Sequence, residues 1–327
     1  MSVSTSQLTR MLAIAASACL LATPVRAQPD SYPNKPITLV VAYPPGGSTD
    51  LTGRTLGAEL SRRLGVNVII ENVGGAGGII GAQKVLNAAP DGYTLLAGAS
   101  NEIAIARLVS GSVKYESKDF TPIGLIAAQP MVLVASPKSG VKNVDDFMRV
   151  VKQHPGKYSY GSSGVGTALH LAGEMVKDQG GLFMVHIPYR GVAPLANDLL
   201  GNNIDFGIFV LSSGLPHVRS GKVVALGTTE ARRSPQTPDI PALAETTRLK
   251  GIDINIWFAL MGPGQLPEGV VAKLRKALSE SLQSPALRKK LEDSGSTVSP
   301  LNVDMPRLLA QETVKYQRIV DFANIKE

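Results

Sequence analysis

An α/β fold built as two lobes is predicted by three observations. Short apolar runs alternate with amphipathic helical patterns along most of the chain, the signature of strands joined by crossover helices. Three of the junctions are glycine-rich turns that open a helix. The length left after an N-terminal export segment exceeds the ~250 residues at which a single core usually stops growing.

The export segment carries Arg10, the apolar run 11–22 and then Val25-Arg26-Ala27, with small or apolar residues where a signal peptidase reads. A secretory signal over residues 1–27, cut after Ala27, is expected. The run falls short of the ~20 apolar residues of a spanning helix, and no comparable run follows it. Cys19 raises lipidation as an alternative, but Ala16-Ser17-Ala18 lacks the leucine usual three residues before a lipidated cysteine. Cleavage leaves 300 of the 327 residues and no cysteine, so stability has to come from buried core and not from disulfides.

The composition, 44% hydrophobic and 18% charged, argues for a soluble globular chain and against disorder. The formal charge of +7 falls by two to +5 once Arg10 and Arg26 are removed. The remaining cations are scattered in pairs such as Arg62-Arg63 and Lys289-Lys290, without the interleaved aromatics of a nucleic-acid groove. No nucleic-acid partner is expected. A mild positive field favours encounter with small anions.

Strands are read at 37–42, 66–71, 93–97, 123–126, 131–135, 158–160, 184–187, 204–209, 223–228 and 254–260. Several are apolar on both faces, as buried parallel strands are. Between them, Gly53, Leu56, Gly57, Leu60 and Leu64 share one helix face, and Val144, Phe147, Met148 and Val151 share another. After Leu260 only helices are read, at 267–283, 285–293 and 303–324, the first two with proline in the opening turn. Helices without strands of their own must pack on a sheet already made. The expected division is residues 28–126 plus 253–327 as lobe 1 and 127–252 as lobe 2, with mostly parallel sheets, two crossing strands as hinge and a ligand crevice between the lobes.

The first glycine turn, Tyr43-Pro44-Pro45-Gly46-Gly47-Ser48-Thr49-Asp50, joins a strand to a helix and places bare amides at a helix N-terminus. Ser48, Thr49 and Asp50 can each cap that helix, and an ordinary capped turn is an equal alternative. The second turn, 74–81, fails the G-x-G-x-x-G spacing because Ile80 stands where the third glycine belongs. The third, 160–167, adds hydroxyls to its amides and is followed by a helix with His170 and Glu174 on one face. It is not a G-x-S-x-G elbow, since Val165 stands at the closing position. His154, His170, His186 and His217 lack metal-ligand spacing, and no G-x-x-x-x-G-K-[ST] loop is present. Asp205 begins a strand and reads equally as a turn residue or a ligand contact. Three amide-rich turns without an activated nucleophile, metal set or cofactor loop suit holding a carboxylate, not transforming it.

The chain also resembles a known family, the Bug-type periplasmic solute-binding proteins of tripartite tricarboxylate transporters, over nearly all of its mature length. The likeness is carried in order by Tyr32-Pro33-Asn34-Lys35-Pro36-Ile37, the first glycine turn, Pro90-Asp91-Gly92-Tyr93, Lys118-Asp119-Phe120-Thr121-Pro122, Gly161-Ser162-Ser163-Gly164, Tyr189-Arg190-Gly191, Asp198-Leu199-Leu200, Arg233-Ser234-Pro235 and Trp257-Phe258. It implies a type II Venus-flytrap fold, a periplasmic location, a monomer, no cofactor, and delivery of a small carboxylate to membrane permease subunits. A ligand-binding role in sensing and, further off, an α/β enzyme are the alternatives.

Carried over residue by residue, the resemblance assigns Tyr43, Pro45, Gly46, Gly47, Ser48, Thr49 and Asp50 to one ligand carboxylate, with Ala76, Ser100 and Asn101 beside them. Ser162, Ser163, Gly166, Thr167, His170 and Asp205 are assigned to the other end. Departures from the family pattern are Ala42-Tyr43, Glu102 and Phe209. Phe209 in place of a polar residue favours a dicarboxylate or aromatic carboxylate over an amino acid, whereas Glu102 facing the crevice would argue the other way.

Overall fold

A computed structural model describes residues 32–325, so the expected signal segment 1–27 and Cys19 lie outside the described residues. The chain divides after Asn34, and the unit Lys35–Glu327 holds the elements that follow. Its strands are β1 (Ile37–Val41), β2 (Val68–Asn72), β3 (Thr94–Ala99), β4 (Thr121–Ala135), β5 (Ser159–Ser162), β6 (Val185–Pro188), β7 (Phe206–Val210), β8 (Val224–Thr228), β9 (Asn255–Gly262) and β10 (Thr297–Val298). They run in one hydrogen-bonded path, β2-β1-β3-β9-β4-β7-β5-β6, with β8 and β10 also paired to β4. The α/β class is the expected one. The two ends of the path are parallel, whereas its middle, where β4 and β9 meet each other and their neighbours, is antiparallel.

The middle differs most from the sequence reading. Runs 123–126 and 131–135 are one strand of 15 residues, because Pro130 interrupts nothing. The strand pairs with β9 as far as Pro130, opposite Asn255, and with β7 from Met131, opposite Val210. A residue without an N–H sits where the strand changes partners, the position at which a ladder bond is least needed. Thr229 stitches the crossing. Its N–H donates to the Met131 carbonyl at 2.9 Å, its Oγ1 accepts from the Met131 N–H at 3.0 Å, and its hydroxyl donates to the Ile254 carbonyl at 2.6 Å.

Helix α1 (Ser48–Leu64) buries the predicted stripe, and its glycines permit the fit: a Cβ on Gly53 would lie 2.7 Å from the Val41 side chain. Then come α2 (Ile79–Leu86), α3 (Val144–Gln153), α4 (Ala168–Gly180), α5 (Val192–Leu200) and α6 (Leu211–Arg219). The last helices, α7 (Glu268–Leu282), α8 (Pro285–Asp293) and α9 (Met305–Phe322), follow β9. The expectation of helices alone after Leu260 misses β10, two residues too short to show a period, which pairs antiparallel with Ala127 and Ala128. Helices α7 and α8 pack on α1, while α9 touches both β4 and α4.

Candidate functional site

The carboxyl ends of β1, β2, β5, β6 and β7 lead into one set of loops, as crevices of parallel sheets require. Those loops enclose a cavity of about 930 Å³, bordered by Tyr43 to Pro45, the 74–80 turn, Asn101, Val109, the 163–167 turn and the 188–191 segment. A side chamber of about 40 Å³ adjoins it, bordered by Gly47, Ser48 and Thr49 on one side and by Leu169, Val192, Pro194, Val210 and Ile256 on the other. The walls approach closely: a Cβ on Gly191 would stand 3.8 Å from the Pro44 ring, and one on Gly77 3.9 Å from the Thr167 methyl.

The start of α1 is left open by its own sequence. Gly47 is the N-cap and supplies no side-chain acceptor, and the first intrahelical bond is the Leu51 N–H to the Gly47 carbonyl. The N–H groups of Ser48, Thr49 and Asp50 therefore have no partner within the helix. Asp50 faces away from the cavity. Its carboxylate accepts from the Gly46 N–H at 3.0 Å, Arg54 Nε at 2.9 Å and Asn72 Nδ2 at 2.9 Å. Burial works against its ionised form, but these three donors hold its carboxyl below the usual carboxylate range. Asp50 thus braces the turn, and Gly46 spends its amide on that brace.

The start of α4 is mostly closed, with the amides of Ala168 and His170 taken by side chains. The Thr167 Oγ1 accepts from the His170 N–H at 3.4 Å and donates to the Gly164 carbonyl at 2.9 Å. His170 Nδ1 accepts from the Gly166 N–H at 3.1 Å, and Asn101 Oδ1 reaches over from the β3 side to accept from the Ala168 N–H at 2.8 Å. Ser163 donates to Thr167 Oγ1 at 3.3 Å.

Asn101 also donates through Nδ2 to the Tyr43 hydroxyl at 2.8 Å, and that hydroxyl donates to the Gly77 carbonyl at 2.6 Å. One carboxamide thus connects all three glycine turns. Beneath it lies Glu102, wholly buried, whose Oε1 accepts from the Ala99 N–H and whose Oε2 is 3.3 Å from the Tyr43 hydroxyl. Burial pushes the Glu102 carboxyl up to about 7, and burial next to Glu102 pushes the Tyr43 phenol well above its ordinary value. The Tyr43 hydroxyl is shared between the Gly77 carbonyl and Glu102 Oε2, and the second bond favours the ionised acid against the larger effect of burial. Glu102 does not face the cavity, so its bearing on ligand charge falls away.

Of the residues assigned from sequence, Tyr43, Pro45, Gly47, Ser48, Thr49, Ala76, Asn101, Ser163, Gly166 and Thr167 border the two chambers. Gly46, Asp50, Ser100, Ser162, His170, Asp205 and Phe209 do not. Ser100 is buried beside the Tyr316 hydroxyl. Asp205 stands at the amino end of β7, where it accepts from the Ser159 N–H at 2.8 Å. At ~3.3 Å per residue that is roughly 13 Å from the level of Phe209, and it is the wrong end of a parallel strand for this crevice. Phe209 points into the core with Val132, Leu195 and Leu199, because side chains alternate along a strand. The neighbouring Val210 takes the cavity side, so the argument from a phenyl ring for an aromatic ligand loses its support.

The serine–histidine contact that exists pairs other residues than Ser163 and His170. Ser162 Oγ lies 2.7 Å from His186 Nε2, and His186 stacks on His170 with ring centroids 3.8 Å apart. Burial holds His170 down to about 4, and burial together with its histidine neighbour holds His186 down to about 3. Ser162 is fully buried, so this cluster supports the 163–167 turn from behind and offers no nucleophile to the cavity. Sequence reading missed Arg190, Gly191 and the start of α5 as cavity walls. The Tyr189-Arg190-Gly191 triplet marked them, but only as a family signature. Among the described residues no cluster of metal-ligating side chains occurs, and no helix is long and apolar enough to cross a membrane.

Comparison with known proteins places this architecture. Residues 52–325 match the family described as tripartite tricarboxylate transporter family receptor. A Rhodopseudomonas palustris protein solved with adipate is 30% identical, superposes with a TM-score of 0.86, and is matched over 90% of this chain and 99% of its own. The periplasmic binding protein BugD is 32% identical with a TM-score of 0.85, over 90% of this chain and 99% of its own. MatC from Rhodopseudomonas palustris with bound malate is 30% identical with a TM-score of 0.83, over 88% of this chain and all of its own.

Proposed function

Since the chain belongs to the tripartite tricarboxylate transporter receptor family, we propose that it is a periplasmic solute-binding receptor that captures a small carboxylate in the 930 Å³ cavity and presents it to a membrane permease. The observation that carries this reading is the uncapped start of α1, whose Ser48 and Thr49 amides border an enclosed chamber. A carboxylate there satisfies donors that no side chain of the protein satisfies, and it lies at the positive end of a helix dipole. Relatives solved with adipate and with malate support a carboxylate as the ligand class.

In this reading residues 28–126 with 253–327 act as one lobe and 127–252 as the other, closing on the ligand as a monomer after export and cleavage near Ala27. The protein performs no chemistry on what it holds. The Ser162–His186 contact is buried away from the cavity lining, and among the described residues no histidine or acid borders the cavity.

Thermal denaturation of residues 28–327 with mono-, di-, tri- and aromatic carboxylates tests the reading. A ligand at 100 times its Kd stabilises the folded state by about 2.7 kcal/mol, a readily measured rise in Tm. No rise with any carboxylate at millimolar concentration refutes it.

A further inference from the structure

Arg190 is the one charged residue bordering either chamber, and it borders both. Its segment is held in place from two sides. The Tyr189 N–H donates to the Ser162 carbonyl at 3.0 Å and the Gly191 N–H to the Ser163 carbonyl at 3.3 Å, while a Cβ on Gly191 would reach van der Waals distance of Pro44 in the first turn. Gly191 has φ 102°, in the region that favours glycine, so the turn that presents Arg190 is set by the backbone itself.

The acids that could neutralise Arg190 are engaged elsewhere. Asp198, on the helix that follows, accepts from the Tyr189 hydroxyl at 2.7 Å and from Asn203 at 3.1 Å. Asp50 is taken by Arg54, Asn72 and Gly46, and Glu102 is sealed beneath Tyr43. Arg190 itself makes no ion pair among the described residues. Arg190 borders a cavity that no acid borders, and its planar guanidinium is matched to a planar carboxylate, which it can meet with two parallel hydrogen bonds.

We infer that Arg190 is the specificity-determining residue of the receptor, holding the second carboxylate of a dicarboxylate whose first carboxylate sits on the Ser48 and Thr49 amides. The inference rests on the receptor reading above. It assigns the two ends of the ligand to the two sides of Pro44: neutral amides at one end, a cation at the other. It also predicts that an uncharged far end costs affinity even when it fits.

Calorimetric titration of adipate against hexanoate, and of succinate against butyrate, tests it in the unaltered protein, Arg190→Gln and Arg190→Lys. The unaltered protein should prefer the better-fitting dicarboxylate over its monocarboxylate partner by 100-fold or more. Arg190→Gln should lose about 10- to 100-fold of that preference with monocarboxylate affinity unchanged, and Arg190→Lys, which keeps the charge but not the fork, should fall between. The dicarboxylate preference should also shrink as salt is raised, in the unaltered protein and in Arg190→Lys but not in Arg190→Gln. Binding by the unaltered protein with the same preference in Arg190→Gln overturns the inference and leaves the receptor reading standing. An equal loss for both ligands of a pair assigns Arg190 to the turn and overturns the inference as well. Silence of all four probes on the unaltered protein overturns the inference, and the receptor reading falls with it only if tri- and aromatic carboxylates also leave the Tm unchanged.

Discussion

The starts of α1 and α4 are alike in sequence and opposite in structure. Each follows a strand through a turn rich in glycine and hydroxyls, and each opens onto the same cavity. At α1 the N-cap is a glycine with no side-chain acceptor, so the first amides are unspent. At α4 the hydroxyl of Thr167, the ring of His170 and the carboxamide of Asn101 consume amides one by one. The difference teaches that composition announces an anion site and the partners of each N–H decide whether one exists. It also divides the labour: α1 is built to receive a ligand and α4 to hold the frame around it.

If that division is right, substitutions at the two starts should separate stability from binding. The largest effect is expected from Asn101→Leu, which strips a partner from the Ala168 N–H and the Tyr43 hydroxyl at once. Leaving buried polar groups unpaired costs about 1–3 kcal/mol each, so urea denaturation should report a loss of about 3 kcal/mol. A loss below 1 kcal/mol would mean that the three turns are not tied through this residue.

Next in size is Gly47→Asp. A Cβ at Gly47 meets nothing within 4 Å, so the fold accepts a side chain there. Its carboxylate would cap α1 and occupy the place of the ligand's carboxylate. Affinity should fall roughly 100-fold, about 2.7 kcal/mol, while stability without ligand rises by a few tenths of a kcal/mol. Retained affinity would move the carboxylate away from Ser48 and Thr49.

The buried ionisable groups behind the two starts give a pH contrast. Glu102 keeps its proton in the folded chain up to about pH 7, whereas an unfolded carboxyl releases it near its ordinary value of 4.5. Its contribution to stability therefore falls as pH rises between those values. His170 and His186 refuse protons that the unfolded chain accepts below 6.5, so theirs rises over the acid part of the same range. Glu102→Gln removes the first and leaves the second. The stability of the variant relative to the unaltered protein should increase by about 2 kcal/mol from pH 5 to pH 7. A constant difference across that range would show that Glu102 is not the group responsible.

The smallest effect is expected from Thr167→Val, which removes the α4 cap and costs about 1 kcal/mol of stability. Its effect on ligand affinity should be less than a tenth of that of Gly47→Asp. The reverse ranking, with Thr167→Val the more damaging to binding, would invert the assignment of the two starts.

Much of the frame is legible from residues alone. The opening prolines locate α7 and α8 to within a residue, and the period of the apolar positions picks out the buried faces of α1 and α3. Pro130 misleads, since a proline at a change of partners looks in sequence like the end of a strand. The site is half legible. Glycines mark all three turns, but whether an amide is free depends on residues far away, as with Asn101 and Ala168, and no local pattern records that pairing. Phe209 and Val210 differ by one position in a strand apolar on both sides, so alternation could not tell which one reaches the cavity. Arg190 carried no periodic signal at all, and only the turn at Gly191 places it.

The crossing at Pro130 has a mechanical consequence. On one side of it β4 is clamped by β9, and on the other by β7 and β8, with Thr229 bonded to Met131 of β4 and to Ile254, the residue before β9. Rotation about this point breaks no N–H hydrogen bond at residue 130, because proline has no N–H to donate there. If the lobes close as proposed, the long strand would twist about its centre. Amide protons of 121–129 and 131–135 should exchange with solvent as two groups, whose difference narrows when the cavity is filled.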